Sequence, residues 1–337
     1  MHDTTLKEIA DGSFAYLQTG SWGFSNAGLV TSAGASLLVD TLYDMQLTRA
    51  MLHHMRQVSA AAQRIDTVVN THANGDHCWG NDALPDARLL SSRNAATEMR
   101  ELSPRLMHTL VLAARAIVRG GAFASIPLTL LRRIGIARAG ALLDAAPFIA
   151  DAFGAFDFGE VSLRVPSETF EGRLVLRVGD KDVHLIEVGP AHTRGDVIVY
   201  VPADRLVFTG DILFIGSHPV IWEGPIDNWV RACDTLLSLD VDVVVPGHGP
   251  LTDKRGVRET RDYWTSLAQA VARGVAASAS AEDIAREVLK HHAFTEAERI
   301  VVNVDTALRE LRKEHGQRDP LALLAAMARF ARIASAP

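Results

Sequence analysis

Short apolar runs separated by turn residues fill the first part of the chain, and they predict strands. Residues 14–17, 27–30 and 36–40 are such runs, punctuated by Gly20, Gly23, Gly28 and Gly34. Between 44 and 58 the period changes. Leu47, Met51, Leu52, Met55 and Val58 recur at helical spacing. A buried strand at 65–70 follows. Strand, helix and strand in succession predict layered α/β structure. The strand signal returns at 162–165, 174–178, 183–188, 197–201 and 205–208, and Gly179-Asp180 turns the second of these back on the third as a hairpin. A helix is predicted at 227–239, with Trp229, Ala232, Cys233, Leu236 and Leu237 on its apolar face, and a buried strand at 241–245. Beyond Asp253 the pattern is helical to the end. Ser280 and Thr295 each precede an acid by three residues and read as helix starts. Residues 320–333, rich in Ala and Leu, predict a helix docked on the body.

The stretch at about 102–156 breaks this rhythm. Residues 106–114 and 125–131 are largely apolar, and Arg115, Arg119, Arg132, Arg133 and Arg138 interrupt. No apolar run reaches the roughly 18 residues that span a bilayer, so no integral membrane segment is expected. A helical insertion packed on its own protein fits best. A cap over a site for an apolar substrate, a peripheral membrane contact and a homodimer interface are compatible with the same composition.

Composition adds bounds. Hydrophobic residues at 48% and charged residues at 22% are those of a globular protein. A net charge of −6 argues against nucleic acid as partner, because phosphate binding needs a basic face. Cys78 and Cys233 make no disulfide framework, and the N-terminus lacks the pattern of an export signal, so a cytoplasmic location is expected.

The chemistry sits on four turns that follow four strands. The first carries His72, Asn74, Asp76 and His77. The second, 189–196, carries His192; the third ends in Gly210-Asp211; the fourth is Pro246-Gly247-His248-Gly249. Each delivers a His or Asp beside a Gly, which lets backbone approach a small ion closely. Imidazole and carboxylate together suit a borderline metal such as zinc. His53, His54, His291, His292 and His315 lie in polar helical surroundings and read as surface residues. His184 and His108 read as structural, and Cys78 as a packed thiol.

These motifs resemble those of the metallo-β-lactamase fold superfamily of metal-dependent hydrolases over roughly residues 14–255. The first motif is His-x-Asn-x-Asp-His in this chain, at 72–77, and 39–41 resembles the early Asp-Thr turn of that fold. The resemblance implies a four-layer αββα sandwich with metals at one edge of the two sheets. It implies a catalytic domain at 1–255, carrying the insertion, and a C-terminal helical extension at 256–337. It also implies a first site of His72, His192 and Asp211, and a second of Asp76, His77 and His248 with Asp211 bridging.

Asn74 stands where the family has its middle His, and a carboxamide is a poor zinc ligand. A complete second site and a weak or absent first one are therefore expected, with one or two Zn2+; the alternative role for Asn74 is as hydrogen-bond donor to the substrate or the metal-bound water. The expected activity is hydrolysis of an apolar ester, thioester or lactone. In that reaction the bound ion lowers the pKa of its water to about 7, and Asp76 orients the nucleophile. Hydrolytic dehalogenation of a haloaromatic is the alternative on the same fold. An iron-dependent oxidoreductase or dioxygenase, or a non-catalytic metal-binding protein, would be a different class. Trp79, His218 and Trp222 are expected to contact a small-molecule substrate.

Overall fold

The period-two runs pair into two sheets. In the computed structural model, which describes residues 3–133, 137–314, 316 and 318–334, the first sheet has seven strands in chain order. They are β1 (Thr4–Ala10), β2 (Ser13–Gln18), β3 (Ala27–Ser32), β4 (Ala35–Val39), β5 (Thr67–Val69), β6 (Arg88–Ser92) and β7 (Glu168–Phe170). The first four run antiparallel and the last four parallel. The second sheet holds β8 (Arg173–Val178), β9 (Lys181–Glu187), β10 (Val197–Val201), β11 (Leu206–Phe208) and β12 (Val243–Val245). Its first four strands form an antiparallel meander, and β12 joins β11 in parallel.

Alternation decides the layers. Leu37 and Val39 of β4 meet Val197, Val199 and Phe208 between the sheets, while Leu38 faces outward. Gly28 of β3 has no room for a side chain, because a Cβ there would stand 2.1 Å from the Phe208 ring. On the outer side of the first sheet lies α1 (Met45–Val58), which buries Met45, Thr48, Met51, Leu52 and Met55. It begins at Asp44, whose carboxylate accepts from the Leu47 amide and caps the helix. On the outer side of the second sheet, Ile186, Ile198, Val207 and Val244 share a core with Trp229, Leu236, Trp264 and Leu267. This is the expected αββα sandwich.

Short helices α2 (Gly75–Cys78) and α3 (Arg93–Met99) follow β5 and β6, and α4 (Pro104–Arg133) and α5 (Ala137–Ala152) form a helical pair between β6 and β7. The backbone of α4 leaves helical geometry at Gly121 (φ 53°, ψ −133°). Side chains of 122–128 and 130–136 lie outside the described residues, and with them most of the apolar run at 125–131 and Arg132 and Arg133; so does His315. After β11 come α6 (Ile226–Ser238), α7 (Lys254–Ala276), α8 (Ala281–Leu289), α9 (Arg299–Arg312) and α10 (Pro320–Ala334).

Two expected elements differ. Residues 162–165 join neither sheet. Arg164 instead donates its guanidinium to the carbonyls of Leu84, Pro85 and Ala87, which pins the segment as a strap, and β7 takes the place beside β6. Ser280 does start a helix, with a reciprocal capping box to Asp283. Thr295 does not. Its amide donates to the Gly216 carbonyl, and α9 begins only at Arg299. A tertiary hydrogen bond there satisfies the group that a cap would have used. β1 and α3 had no signal, being largely polar.

Candidate metal centre

The four turns leave the same end of the sandwich, from β5, β9, β11 and β12. Their side chains converge in two clusters: His72, His192 and Asp211, and Asp76, His77 and His248, in each of which the candidate ligand atoms lie within 4.8 Å of one another. Asp211 connects them. One carboxylate oxygen stands 3.2 Å from His192 Nε2 and 3.7 Å from His72 Nε2. The other stands 3.1 Å from His77 Nε2 and 3.4 Å from His248 Nε2. His248 Nε2 also lies 3.4 Å from Asp76. The close approach depends on glycine. A Cβ at Gly247 would fall 2.0 Å from an Asp211 oxygen, and one at Gly210 (φ 51°) would fall 2.5 Å from the Thr71 hydroxyl.

The tautomers follow from what each Nδ1 meets. His77 Nδ1 lies 2.9 Å from the Asp40 carboxylate, His192 Nδ1 is 2.7 Å from the Val220 carbonyl, and His248 Nδ1 is 3.1 Å from the Phe24 carbonyl. These partners only accept, so each Nδ1 carries the hydrogen. His72 Nδ1 meets the Thr71 hydroxyl at 3.0 Å, and that hydroxyl already donates to Asp40. His72 Nδ1 therefore donates as well. All four imidazoles therefore turn Nε2 to the centre, the nitrogen that would ligate a metal once it gives up any proton.

Electrostatics agree. Asp40, Asp76 and Asp211 are three buried acids within one pocket. Burial would raise the Asp211 carboxyl, but His248, His77, His72 and His192 hold it well below the usual range. Burial would lower His248, yet Asp211 and Asp76 push it up to about 9, and His77 is raised well above its ordinary value in the same way. Burial and the neighbouring imidazolium of His77 hold His72 well below its ordinary value. His72 Nε2, His77 Nε2 and one Asp211 oxygen are buried with no hydrogen-bond partner. Buried imidazole nitrogens without a partner beside carboxylates suit ligand atoms, and the donor set fits a divalent cation.

Asn74 differs from the others. Its amide nitrogen stands 2.9 Å from His192 Nε2 and donates to it. One ligand lone pair of the first cluster is thereby occupied by the protein's own amide.

The remaining expected residues are placed as follows. Trp79 is buried and packs on Tyr43 at 5.2 Å with the rings tilted by 33°, and both belong to an aromatic wall beside Gly75 and Asp76. Phe156 and Phe158, beyond α5, complete it at 4.9 and 4.8 Å from Tyr43. Trp222 is half-buried, and its amide donates to the His192 carbonyl. His218 is a correction. It is fully buried, its ring packs on Tyr263 and Phe294, and it offers no open face to a substrate. Cys78 is a buried thiol donating to the Ala73 carbonyl, raised well above its usual range by burial and by Asp40 and Asp76.

Sequence reasoning missed several contributors. Asp40 orients His77 and Thr71 from a left-handed backbone position (φ 62°). The Asp-Thr pair at 40–41 was its only signal. Phe214 stacks on His248 at 4.9 Å, with 4° between planes. The carbonyls of Phe24 and Val220 had no signal, since every residue carries one.

A family profile described as "Metallo-beta-lactamase superfamily" matches residues 20–248. Among curated proteins, the chain is 28% identical over 104 residues to "2,4-dinitroanisole O-demethylase subunit alpha" of a Nocardioides strain, covering 30% of this chain and 32% of that protein. It is 24% identical over 240 residues to "Linear primary-alkylsulfatase" of a Pseudomonas strain, covering 67% of this chain and 42% of that protein. It is 27% identical over 89 residues to "Acyl-coenzyme A thioesterase MBLAC2" of Gallus gallus, covering 25% and 31%. The chain thus spans less than half the length of each. Among solved structures, the sec-alkylsulfatase Pisa1 from Pseudomonas superimposes with a TM-score of 0.63 at 14% identity, over 93% of this chain and 51% of that one. A metallo-beta-lactamase from Pontibacter korlensis gives 0.55 at 16% identity, over 78% and 99%. At such identity these structures speak for the fold alone.

Proposed function

The chain belongs to the metallo-beta-lactamase superfamily, and on that premise we propose that it is a zinc-dependent hydrolase of apolar esters or thioesters. The observation that carries the reading is the convergence of four Nε2 atoms on Asp211, which points one oxygen to each cluster. Asp76, His77 and His248, with Asp211, would hold the tighter cation. His72, His192 and Asp211 form the weaker site, because Asn74 already occupies His192 Nε2. When bound, a divalent cation supplies Lewis acidity, which makes water nucleophilic at neutral pH and polarises the substrate's electrophilic group.

The protein's own groups do the rest. Asp40, Val220 and Phe24 fix the imidazoles. Tyr43, Trp79, Phe156 and Phe158 form a buried apolar wall beside Asp76, which excludes water from that side of the centre and strengthens electrostatic interactions there. Tyr43 keeps its proton there, because burial, then the charges of Asp76 and Cys78, hold it well above the usual phenol range. Its hydroxyl remains a donor.

A second reading, a sulfate ester as substrate, is favoured by the alkylsulfatase relative, whose match covers 67% of this chain. The test is metal analysis of the purified protein, followed by aryl esters, thioesters, lactones and alkyl sulfates as substrates. Asp76→Ala and His248→Ala are expected to lose both metal and hydrolysis; retention of both would remove the site assignment. Asn74→His is expected to raise the metal stoichiometry, and an unchanged count would remove the account of the weaker site.

A further inference from the structure

Residues 102–143 contain six arginines and not one Asp, Glu or Lys, in a chain whose net charge is −6. The remaining residues therefore carry −12. This segment is α4, the first turns of α5 and the link between them. The inner face of α4 buries Val111 and Ala114. Its outer face is a stripe at helical spacing, Arg105, Thr109, Leu112, Ala116 and Arg119, all exposed. Leu106 lies beside it. Leu106 is 60% exposed and Leu112 50%, two of the larger apolar exposures among the described residues. Neither Arg105 nor Arg119 forms an ion pair with a described residue, whereas Arg115 is turned inward to the Gly154 carbonyl. No described helix is long and apolar enough to cross a membrane.

We infer that the outer face of α4 docks on an anionic lipid surface. Exposed leucines between unpaired arginines are the pattern of a helix lying in a membrane interface. Charge complementarity also favours this orientation: a negatively charged bilayer attracts the acid-free segment, with Arg105 and Arg119 on its outer face, and repels the −12 body. The inference is independent of the catalytic reading.

The test is co-sedimentation of the full-length protein with vesicles of phosphatidylcholine alone and of equimolar phosphatidylcholine and phosphatidylglycerol. Binding to the anionic vesicles only, weakening with added salt, is expected. Each arginine near such a surface is worth about five-fold in binding, so Arg105→Gln with Arg119→Gln should lose about 25-fold. Leu106→Ser with Leu112→Ser should weaken binding several-fold without changing the far-ultraviolet circular dichroism. Arg177→Gln, on β8, should bind like wild type. Absence of binding to anionic vesicles would overturn the inference. So would equal binding by the α4 variants, or a wild-type dimer that Leu112→Ser dissociates, which would assign the face to a second copy.

Discussion

Asp40→Asn tests whether the imidazoles are tautomerically set for a cation. The Asp40 carboxylate is 2% exposed and accepts three hydrogen bonds. One oxygen takes the Thr71 amide at 2.7 Å; the other takes the Thr71 hydroxyl at 2.7 Å and His77 Nδ1 at 2.9 Å. Asn keeps the first bond and tolerates the left-handed backbone (φ 62°). Its NH2 group then faces two donors. Thr71 can rotate to accept. His77 must give up its Nδ1 hydrogen, which moves to Nε2, the atom facing Asp211 at 3.1 Å. The variant thus removes a charge-assisted bond of about 1.5–3 kcal/mol and blocks a ligand atom. Groups that orient metal-bound imidazoles are worth 10–100-fold in metal affinity, about 1.4–2.8 kcal/mol. Competition for zinc against a chromogenic chelator should show a loss of that size at the tighter site. Asp66→Asn is the control. Asp66 accepts from the Ser36 amide at 2.9 Å, remote from the centre, and its loss should lower stability while leaving metal affinity alone. Wild-type zinc affinity in Asp40→Asn would refute the tautomer argument.

Two further predictions rest on neighbouring residues. Gly247→Ala would place a methyl group 2.0 Å from the Asp211 oxygen and should displace it; metal content by elemental analysis should fall at both clusters, since Asp211 serves both. Asp196 is buried and bonded to the Ala191 and Thr193 amides and the Thr193 hydroxyl, yet burial pushes its carboxyl up to about 8. The ordinary value is about 4, so the folded state binds the extra proton. Its stabilising effect is complete at acid pH and is lost as pH rises through about 8. Urea denaturation should therefore find Asp196→Asn gaining on wild type between about pH 5 and about pH 9. A difference that does not change with pH would refute the protonated state of Asp196.

Strand and helix periods in the sequence predict a layered α/β chain, and its motifs resemble a fold with two sheets; Leu37, Leu38 and Val39 serve that sandwich by alternating faces. A strand that ends in a Gly-containing turn fixes where its His or Asp stands along the chain. Periodicity says nothing, however, about groups far apart in sequence. Folding supplies the division of the Asp211 oxygens, whose bridging place the resemblance implied, and the contact of Asn74 with His192 across 118 positions. It also decided that Arg164 straps a segment whose apolar pattern predicts a strand, and that His218 turns into the helical side of the core. Each of these depends on a partner brought close by folding, often a backbone carbonyl, and carbonyls are the same at every residue. The turn at 72–77 names the atoms that can bind. The carbonyls and carboxylates behind it decide which lone pair each imidazole presents.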